Sequence, residues 1–290
     1  MLTSNGYVLD ERSHRLGRLE PVPEADRTCR DALSERLRDH GYLLLKAQID
    51  PEIIRGFRRY YFTALAPSGL VADGREPVDG IAGPPDGLDP AGLRRRLFRT
   101  VVPGAEYHAL CSTPQIRDWF RWFLGGEVHL HRRKIIRHTR PNEHTETRTM
   151  GVGAATQAHY DLLYLREGSD RVLSMWIPLG DCPTSLGGLV YLEDSHRWVQ
   201  DEERVRSEKR PAASITADLP GLAQVHDARW LYADYEIGDV VVHTAHVVHA
   251  ALDNLDPEGR LRLSTDIRYQ LANEQIDLRW QNHWHDEDGL

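Results

Sequence analysis

A histidine and an aspartate stand two residues apart near the middle of the chain, at His159 and Asp161. The run 154–165 is predicted to be a β-strand, in which residues two apart face the same side. Side by side, an imidazole and a carboxylate are two thirds of a facial metal site, which leaves three coordination positions open and suits non-haem iron(II). A His-x-Asp pair also arises by chance in many proteins, so a third ligand is required.

Three histidines follow in one short segment, 238–254, where a turn leads into an apolar strand. They are His243, His246 and His249. Strand parity puts His243 and His249 on one face and His246 on the other, provided that no bulge intervenes. The residues alone predict that this segment supplies the missing imidazole and leave the choice of histidine open.

A strand with alternating basic and apolar side chains comes next. Arg260, Arg262 and Ser264 share one face, while the leucines between them take the other. A buried guanidinium beside a hydroxyl suits the far carboxylate of a dicarboxylate. We therefore expect Arg262 with Ser264, or Arg260 in place of Arg262, to hold such a ligand.

The elements that must position these residues fall into two groups. Helical periodicity and capping residues predict helices at 28–40, at 51–65 behind an Asp50 N-cap, and at 116–124. Apolar runs separated by turn residues predict strands at 42–45, 128–136, 154–165, 172–178, 188–192, 239–243, 247–252 and 260–269. Helices first and short strands afterwards predict a mostly β fold with flanking α-helices, built on a double-stranded β-helix of the jelly-roll, cupin-like kind.

Two segments are predicted to be loops or lids over the mouth of that core. Residues 66–98 are dense in proline and glycine, and residues 200–232 form a polar stretch that interrupts the strands. Too few residues precede the first segment to form a domain of their own. The whole chain, 1–290, is therefore predicted to be a single domain.

The overall composition argues against several functional classes. The chain carries a formal net charge of −8, which repels nucleic acid at long range. Its three cysteines, Cys29, Cys111 and Cys182, have neither zinc-knuckle nor disulfide-framework spacing. The first residues lack a signal-peptide pattern and no long apolar run occurs, so no membrane association is expected and the predicted location is the cytoplasm.

Three stretches of sequence resemble the phytanoyl-CoA dioxygenase-like (PhyH) family of iron(II)- and 2-oxoglutarate-dependent oxygenases. They are HYD at 159–161, MWIPLGDCPTSLGGLVYLEDSH at 175–196, and GDVVVHTAHVVHAALDN at 238–254, which RLRLS follows. The likeness extends over about 42–270. It departs from the family at 193–194, where Glu-Asp stands in place of the usual Pro-Gly, in a turn outside the predicted metal shell.

The resemblance implies His159, Asp161 and His249 as the iron(II) ligands, because His249 precedes the Ala-Ala-Leu-Asp-Asn stretch that follows the distal ligand in relatives. It also places Trp176 against 2-oxoglutarate, although a core aromatic explains that residue equally well. The candidate 2-oxoglutarate contacts are Arg262, Ser264, Arg260, Trp176 and Gln157, with Lys134 and Arg137 behind them. Gln157 is included because it shares a strand face with His159.

The reaction that the resemblance implies consumes O2 and 2-oxoglutarate while an unactivated C–H bond is hydroxylated, or while the substrate is desaturated or cyclised. Related halogenases replace the carboxylate ligand by a small residue, so Asp161 argues against halogenation. Relatives often tailor antibiotics, and a polar small molecule from natural-product biosynthesis is the expected substrate. The alternatives are a cupin-like dioxygenase or isomerase that does not use 2-oxoglutarate, and a non-enzymatic jelly-roll binding protein.

The C-terminal run 279–285 combines two tryptophans with two histidines. It is predicted to dock onto the barrel, and coverage of the substrate pocket or a subunit contact are its alternatives.

Overall fold

The computed structural model describes residues 1–143, 155–206 and 214–285. The start of the predicted strand 154–165 and part of the predicted lid 200–232 lie outside these residues. The α-helices are α1 (Arg30–His40), α2 (Pro51–Leu65), α3 (Pro90–Arg96), α4 (Ala105–Cys111), α5 (Pro114–Leu124), α6 (Ser195–Val205) and α7 (Leu219–Val225). The strands are β1 (Thr3–Ser4), β2 (Tyr7–Val8), β3 (Leu16–Arg18), β4 (Tyr42–Leu45), β5 (Val128–Leu130), β6 (Ile135–Thr139), β7 (Leu173–Pro178), β8 (Leu189–Leu192), β9 (Trp230–Tyr232), β10 (Val240–Thr244), β11 (His249–Ala251) and β12 (Arg262–Leu271).

Local signals set the helix ends. Asp50 caps α2 by accepting a hydrogen bond from the Glu52 backbone N–H at 2.9 Å, and Pro51 occupies the first helical position. Gly41 ends α1 in the left-handed conformation, with φ 77°, a conformation that glycine adopts without strain. The predicted helices at these places are therefore confirmed.

Two sheets form the core of the chain. The larger has the order β4-β10-β7-β12-β5, and β6 pairs with β12 on the edge that β5 also uses. The smaller has the order β11-β8-β9-β3. All neighbours are antiparallel except β3 and β9, which are parallel.

Alternating side chains divide the apolar residues into three layers. Between the sheets, Trp176 and Val241 of the larger sheet pack with Leu189 and Tyr191 of the smaller. The opposite face of the larger sheet packs against α1 to α5, and the outer face of the smaller sheet packs against α6 and α7. A core of β-sheets with helices on the outside is therefore confirmed.

The predicted strand 154–165 is wrong over its described part. Only isolated backbone bridges form there, at Ala158 and His159, and Asp161–Leu163 is a turn of 3-10 helix. The turn buries Leu162 and Leu163 in the outer layer of the smaller sheet, which a straight strand would not achieve. The apolar residues after Asp161 therefore have the sequence pattern of a strand but form a turn in the structure.

The two segments predicted as lids contain regular structure. Within 66–98 lies α3, whose Leu93 is buried beneath α2 with Leu97 of the following π-helical turn. Within 200–232 lie α7, β9 and the end of α6. Among the described residues, no helix is long and apolar enough to cross a membrane.

Candidate metal centre

One backbone bridge brings His159 and His249 together. The His159 N–H donates to the His249 carbonyl at 3.1 Å, and the His249 N–H donates to the His159 carbonyl at 2.9 Å. Oδ1 of Asp161 lies 3.8 Å from Nε2 of His159 and 3.9 Å from Nε2 of His249. All three side chains are buried, and their ligand atoms lie within 4.8 Å of one another. The three residues singled out from the sequence thus form one cluster.

Each histidine of this cluster has a fixed tautomer. Nδ1 of His159 lies 2.9 Å from the Gln157 carbonyl, and Nδ1 of His249 lies 3.1 Å from the Val247 carbonyl. Because a carbonyl only accepts, Nδ1 carries the proton and donates, and Nε2 keeps its lone pair. This is the arrangement that a metal-binding histidine requires.

The charge state of the cluster also suits a cation. Burial lowers the pKa of both His159 and His249, which keeps the imidazoles neutral. Burial alone would raise the pKa of Asp161, but the Arg268 guanidinium holds it well below its usual range. Two neutral imidazoles and one carboxylate are the donor set of a non-haem iron(II) site.

Two hydrogen bonds orient the carboxylate of Asp161, and a histidine lies beside it. Arg268 donates from Nη2 to Oδ1 at 2.9 Å, the Ser174 hydroxyl donates to Oδ2, and Nε2 of His243 lies 3.5 Å from Oδ2. His243 is itself 3.2 Å from the Tyr191 hydroxyl through Nδ1. Neither Ser174 nor Arg268 is among the site residues predicted from the sequence. Arg268 was detectable, because it shares the parity of Arg262 on β12.

A cavity of about 130 Å³ opens onto the cluster. Its walls carry three arginines, Arg133, Arg137 and Arg268, and one acid, Asp266. One carboxylate only partly offsets three guanidinium groups, and burial raises the pKa of Asp266. Trp280 from the C-terminal segment completes the lining. The site therefore combines a metal-ligand cluster with an electropositive pocket.

The candidate 2-oxoglutarate residues separate into an interior and an exterior set. Ser264 and Arg262 are buried on the face of β12 that carries Asp266, one and two same-face positions before it. Arg262 donates from Nη2 to the Thr139 hydroxyl at 2.9 Å, and its Nε has no partner among the described residues. Arg260 instead pairs with Asp256 at 2.6 Å and is about one third exposed.

The remaining candidates also differ in position. Trp176 is fully buried between the sheets, opposite Asp266 on the neighbouring strand, and its ring meets Tyr235 at 4.8 Å. Gln157 contributes its carbonyl to His159, as described above. Arg137 lines the cavity, whereas Lys134 faces the helices, with its ammonium 5.3 Å from the centre of the Tyr107 ring.

His246 lies outside the cluster, although its two neighbouring histidines point inward. The chain leaves the larger sheet after β10 and enters the smaller sheet at β11, so His243 and His249 lie on different sheets with ring centroids 4.6 Å apart. His246 faces an outer groove with Asp170 and Arg204. His243 and His249 therefore lie on the same side, as predicted. The reason is that the chain crosses from one sheet to the other, and not that both residues have the same parity in one strand.

Comparison with known proteins gives concordant matches. Residues 100–261, more than half of the chain, match the phytanoyl-CoA dioxygenase (PhyH) family. The chain is 25% identical over 267 residues to a 1-deoxypentalenic acid 11-beta-hydroxylase of Streptomyces exfoliatus, covering 88% of this chain and 86% of the relative. A second hydroxylase with that name, from Streptomyces arenae, is 24% identical over 257 residues, with the same two shares covered.

Solved structures show the same fold at low identity. The alpha-ketoglutarate-dependent epimerase SnoN from nogalamycin biosynthesis superposes with a TM-score of 0.56 at 18% identity, covering 87% of this chain and 86% of that one. EctD from S. alaskensis superposes with a TM-score of 0.56 at 16% identity, covering 97% and 91%. With the family match, these findings show that the chain belongs to the phytanoyl-CoA dioxygenase family of iron(II)- and 2-oxoglutarate-dependent oxygenases.

Proposed function

We propose that this oxygenase hydroxylates an unactivated C–H bond of a small natural product, with His159, Asp161 and His249 as its iron(II) ligands. The observation that carries the proposal is the cluster itself. Two imidazoles with their Nε2 lone pairs free and one carboxylate oxygen meet beside a cavity that is large enough for part of a small molecule. Three ligands on one side of an octahedral ion leave room for a cosubstrate and O2.

The cosubstrate is proposed to run from the cluster into the space between the sheets, toward Arg262 and Ser264. In support, Arg262 is buried with an unpartnered Nε among the described residues, and Trp176 provides an apolar wall on the neighbouring strand. Arg260 is disfavoured because Asp256 already engages its guanidinium at the surface. The two facing sheets are proposed to be a double-stranded β-helix within one domain spanning 1–290.

When bound, iron(II), 2-oxoglutarate and O2 together would supply an oxidant strong enough to remove a hydrogen atom from carbon, with succinate and carbon dioxide as the other products. The protein contributes placement. Ser174 and Arg268 hold the carboxylate of Asp161, and the carbonyls of Gln157 and Val247 hold the imidazoles. Apolar residues between the sheets exclude water from the space assigned to the cosubstrate.

Hydroxylation is favoured among the outcomes of this chemistry. The two Streptomyces relatives are named as hydroxylases, whereas SnoN is named as an epimerase and SnoK as a carbocyclase. Asp161 keeps the position that halide would need, which argues against halogenation. The biosynthetic settings named for these proteins support a natural product as the substrate.

The first test adds iron(II) anaerobically to the protein, then 2-oxoglutarate, and records the weak visible charge-transfer band of the chelate. The band is expected only with both additions and is expected to vanish in Asp161→Ala. It should weaken in Arg262→Ala and persist in Arg260→Ala. A folded, iron-loaded protein without the band would refute the use of 2-oxoglutarate and favour a cupin-like dioxygenase or isomerase.

A further inference from the structure

Trp280 reaches the metal cavity from the last described segment of the chain. A turn of 3-10 helix, Leu278–Gln281, begins at Asp277, whose carboxylate accepts from the Arg279 and Glu167 backbone N–H groups at 3.1 and 3.2 Å. The indole N–H of Trp280 donates to the Tyr164 carbonyl at 3.2 Å. The ring is buried and lines the cavity. The C-terminal segment is therefore a fixed wall of the site.

Two guanidinium groups lie over the Trp280 ring. The guanidinium carbon of Arg268 lies 4.6 Å from the ring centre and that of Arg133 lies 5.1 Å from it. The Arg133 backbone N–H also donates to the Trp280 carbonyl at 3.0 Å. Both distances are within the range of a cation–π contact, so the indole holds both cations at the cavity.

Arg268 has donors to spare at this position. Its Nη2 binds Asp161, while its Nε and Nη1 are buried without a hydrogen-bond partner among the described residues. Only 5% of the residue is exposed, so water does not readily satisfy these donors. Buried guanidinium N–H groups without partners are rare, because their desolvation is uncompensated. A ligand that accepts hydrogen bonds would satisfy them.

The charges around the ring call for an anion. Burial, with the nearby cations Arg268, Arg137 and Arg279, lowers the pKa of Arg133 to about 10, which leaves it charged at neutral pH. Among the described residues, Asp266 is the carboxylate that lines the cavity beside them, and burial raises its pKa. An anion in the cavity would accept from the unpartnered Nε and Nη1 donors of Arg268 and lie beside the Arg133 guanidinium.

We propose that Arg133 and Arg268, positioned by Trp280, bind a carboxylate group of the substrate, so that the enzyme acts on a small organic acid. This substrate class rests on the proposed function. The competing source of the carboxylate is 2-oxoglutarate, which is assigned above to Arg262 and Ser264. The two sources differ in a measurable way, because a substrate acid binds in addition to 2-oxoglutarate and a misassigned cosubstrate site binds in competition with it.

The test titrates the anaerobic iron(II)–2-oxoglutarate protein by calorimetry with acids of increasing size, from acetate to cyclohexanecarboxylate, and with the matching neutral amides. The wild type is expected to prefer at least one acid over its amide by about tenfold, since a hydrogen bond to a charged group contributes that much. Arg133→Gln should abolish the preference. Arg132→Gln, which removes an exposed neighbouring arginine, should retain it.

Variants of Trp280 separate positioning from folding. Trp280→Phe keeps a ring under the guanidiniums and should retain most of the acid preference, whereas Trp280→Leu should lose it. Both variants are compared at saturating iron(II) and 2-oxoglutarate, because Arg268 also restrains the carboxylate of Asp161, and circular dichroism should show that both are folded. An acid preference that survives in Trp280→Leu would overturn the positioning role.

The remaining outcomes are also decisive. Equal binding of acids and amides, or no binding of any acid, would overturn the substrate class. An acid that raises the dissociation constant of 2-oxoglutarate in proportion to its concentration would show that the arginines hold the cosubstrate. Loss of the charge-transfer band in the wild type would refute the proposed function, and the acid preference, measured without metal, would then define an anion site alone.

Discussion

Removal of the Ser174 hydroxyl tests whether Asp161 depends on its neighbours to hold a metal. In the structure the two oxygens of Asp161 have separate roles, because Oδ1 faces His159 and His249 while Oδ2 accepts from Ser174. In Ser174→Ala, Oδ2 keeps the imidazole of His243, whose Nε2 is 3.5 Å away. The carboxylate then has a weaker restraint on its rotation.

The expected loss is about 10- to 100-fold in iron(II) affinity. A hydrogen bond to a charged group is worth about 1.5–3 kcal/mol, and each 1.4 kcal/mol is a factor of ten in affinity. The range stops short of the ~140-fold that 3 kcal/mol would give, because the metal-free protein also loses the bond and part of the cost cancels. The range agrees with the usual effect of removing a residue that orients a metal ligand.

Iron(II) affinity is measured anaerobically by competition with a chromophoric chelator, with circular dichroism and thermal melting as folding checks. Ser34→Ala is the matched control, because the exposed Ser34 hydroxyl only donates to the Arg30 carbonyl at 2.8 Å. Asp161→Ala sets the scale of a lost ligand. If folded Ser174→Ala binds iron(II) within twofold of the wild type, then Ser174 does not position Asp161.

Two other perturbations follow from the same geometry. His249→Ala should abolish stoichiometric iron(II) binding, whereas His246→Ala should keep the iron(II) affinity within about threefold of the wild type, because His246 faces the outer groove. Equilibrium dialysis measures both, and equal losses would contradict the ligand assignment. Burial lowers the pKa of His138 from 6.5 to about 3, so between these values the unfolded chain binds more protons than the folded chain. The free energy of unfolding therefore decreases as the pH is lowered, by about 2 kcal/mol from pH 7 to pH 5. Urea unfolding of His138→Gln should show a correspondingly smaller loss over that range, and an unchanged pH dependence would refute the assignment.

The sequence predicted the elements whose signals are local. Asp50 followed by Pro51 indicates the start of a helix independently of the rest of the fold. The strand 42–45 is apolar throughout because both of its faces are buried. The same reasoning failed after Asp161, where the apolar residues serve a turn. Periodicity reports which residues are buried, and it does not distinguish a strand from a short bend toward a neighbouring layer.

The clustering of the three candidate ligands could be predicted from the sequence, whereas the residues around them could not. His159 and Asp161 stand two residues apart, and His249 stands next to a stretch of sequence that resembles the family. Nothing in the sequence distinguishes Ser174 from other strand residues. Only the tertiary structure places its hydroxyl beside Asp161. Trp280 is separated from Arg133 by about half of the chain, so no spacing rule links them. Such contacts depend on the tertiary packing and not on local sequence.

The backbone bridge between His159 and His249 has a thermodynamic consequence. It joins segments about 90 residues apart, and a metal ion held by both imidazoles would reinforce that junction as a removable cross-link. By mass action, free metal at one hundred times its dissociation constant would add about 2.7 kcal/mol to the free energy of unfolding. Removal of the metal would therefore lower the resistance of the folded chain to unfolding and to proteolysis, as well as stopping its turnover.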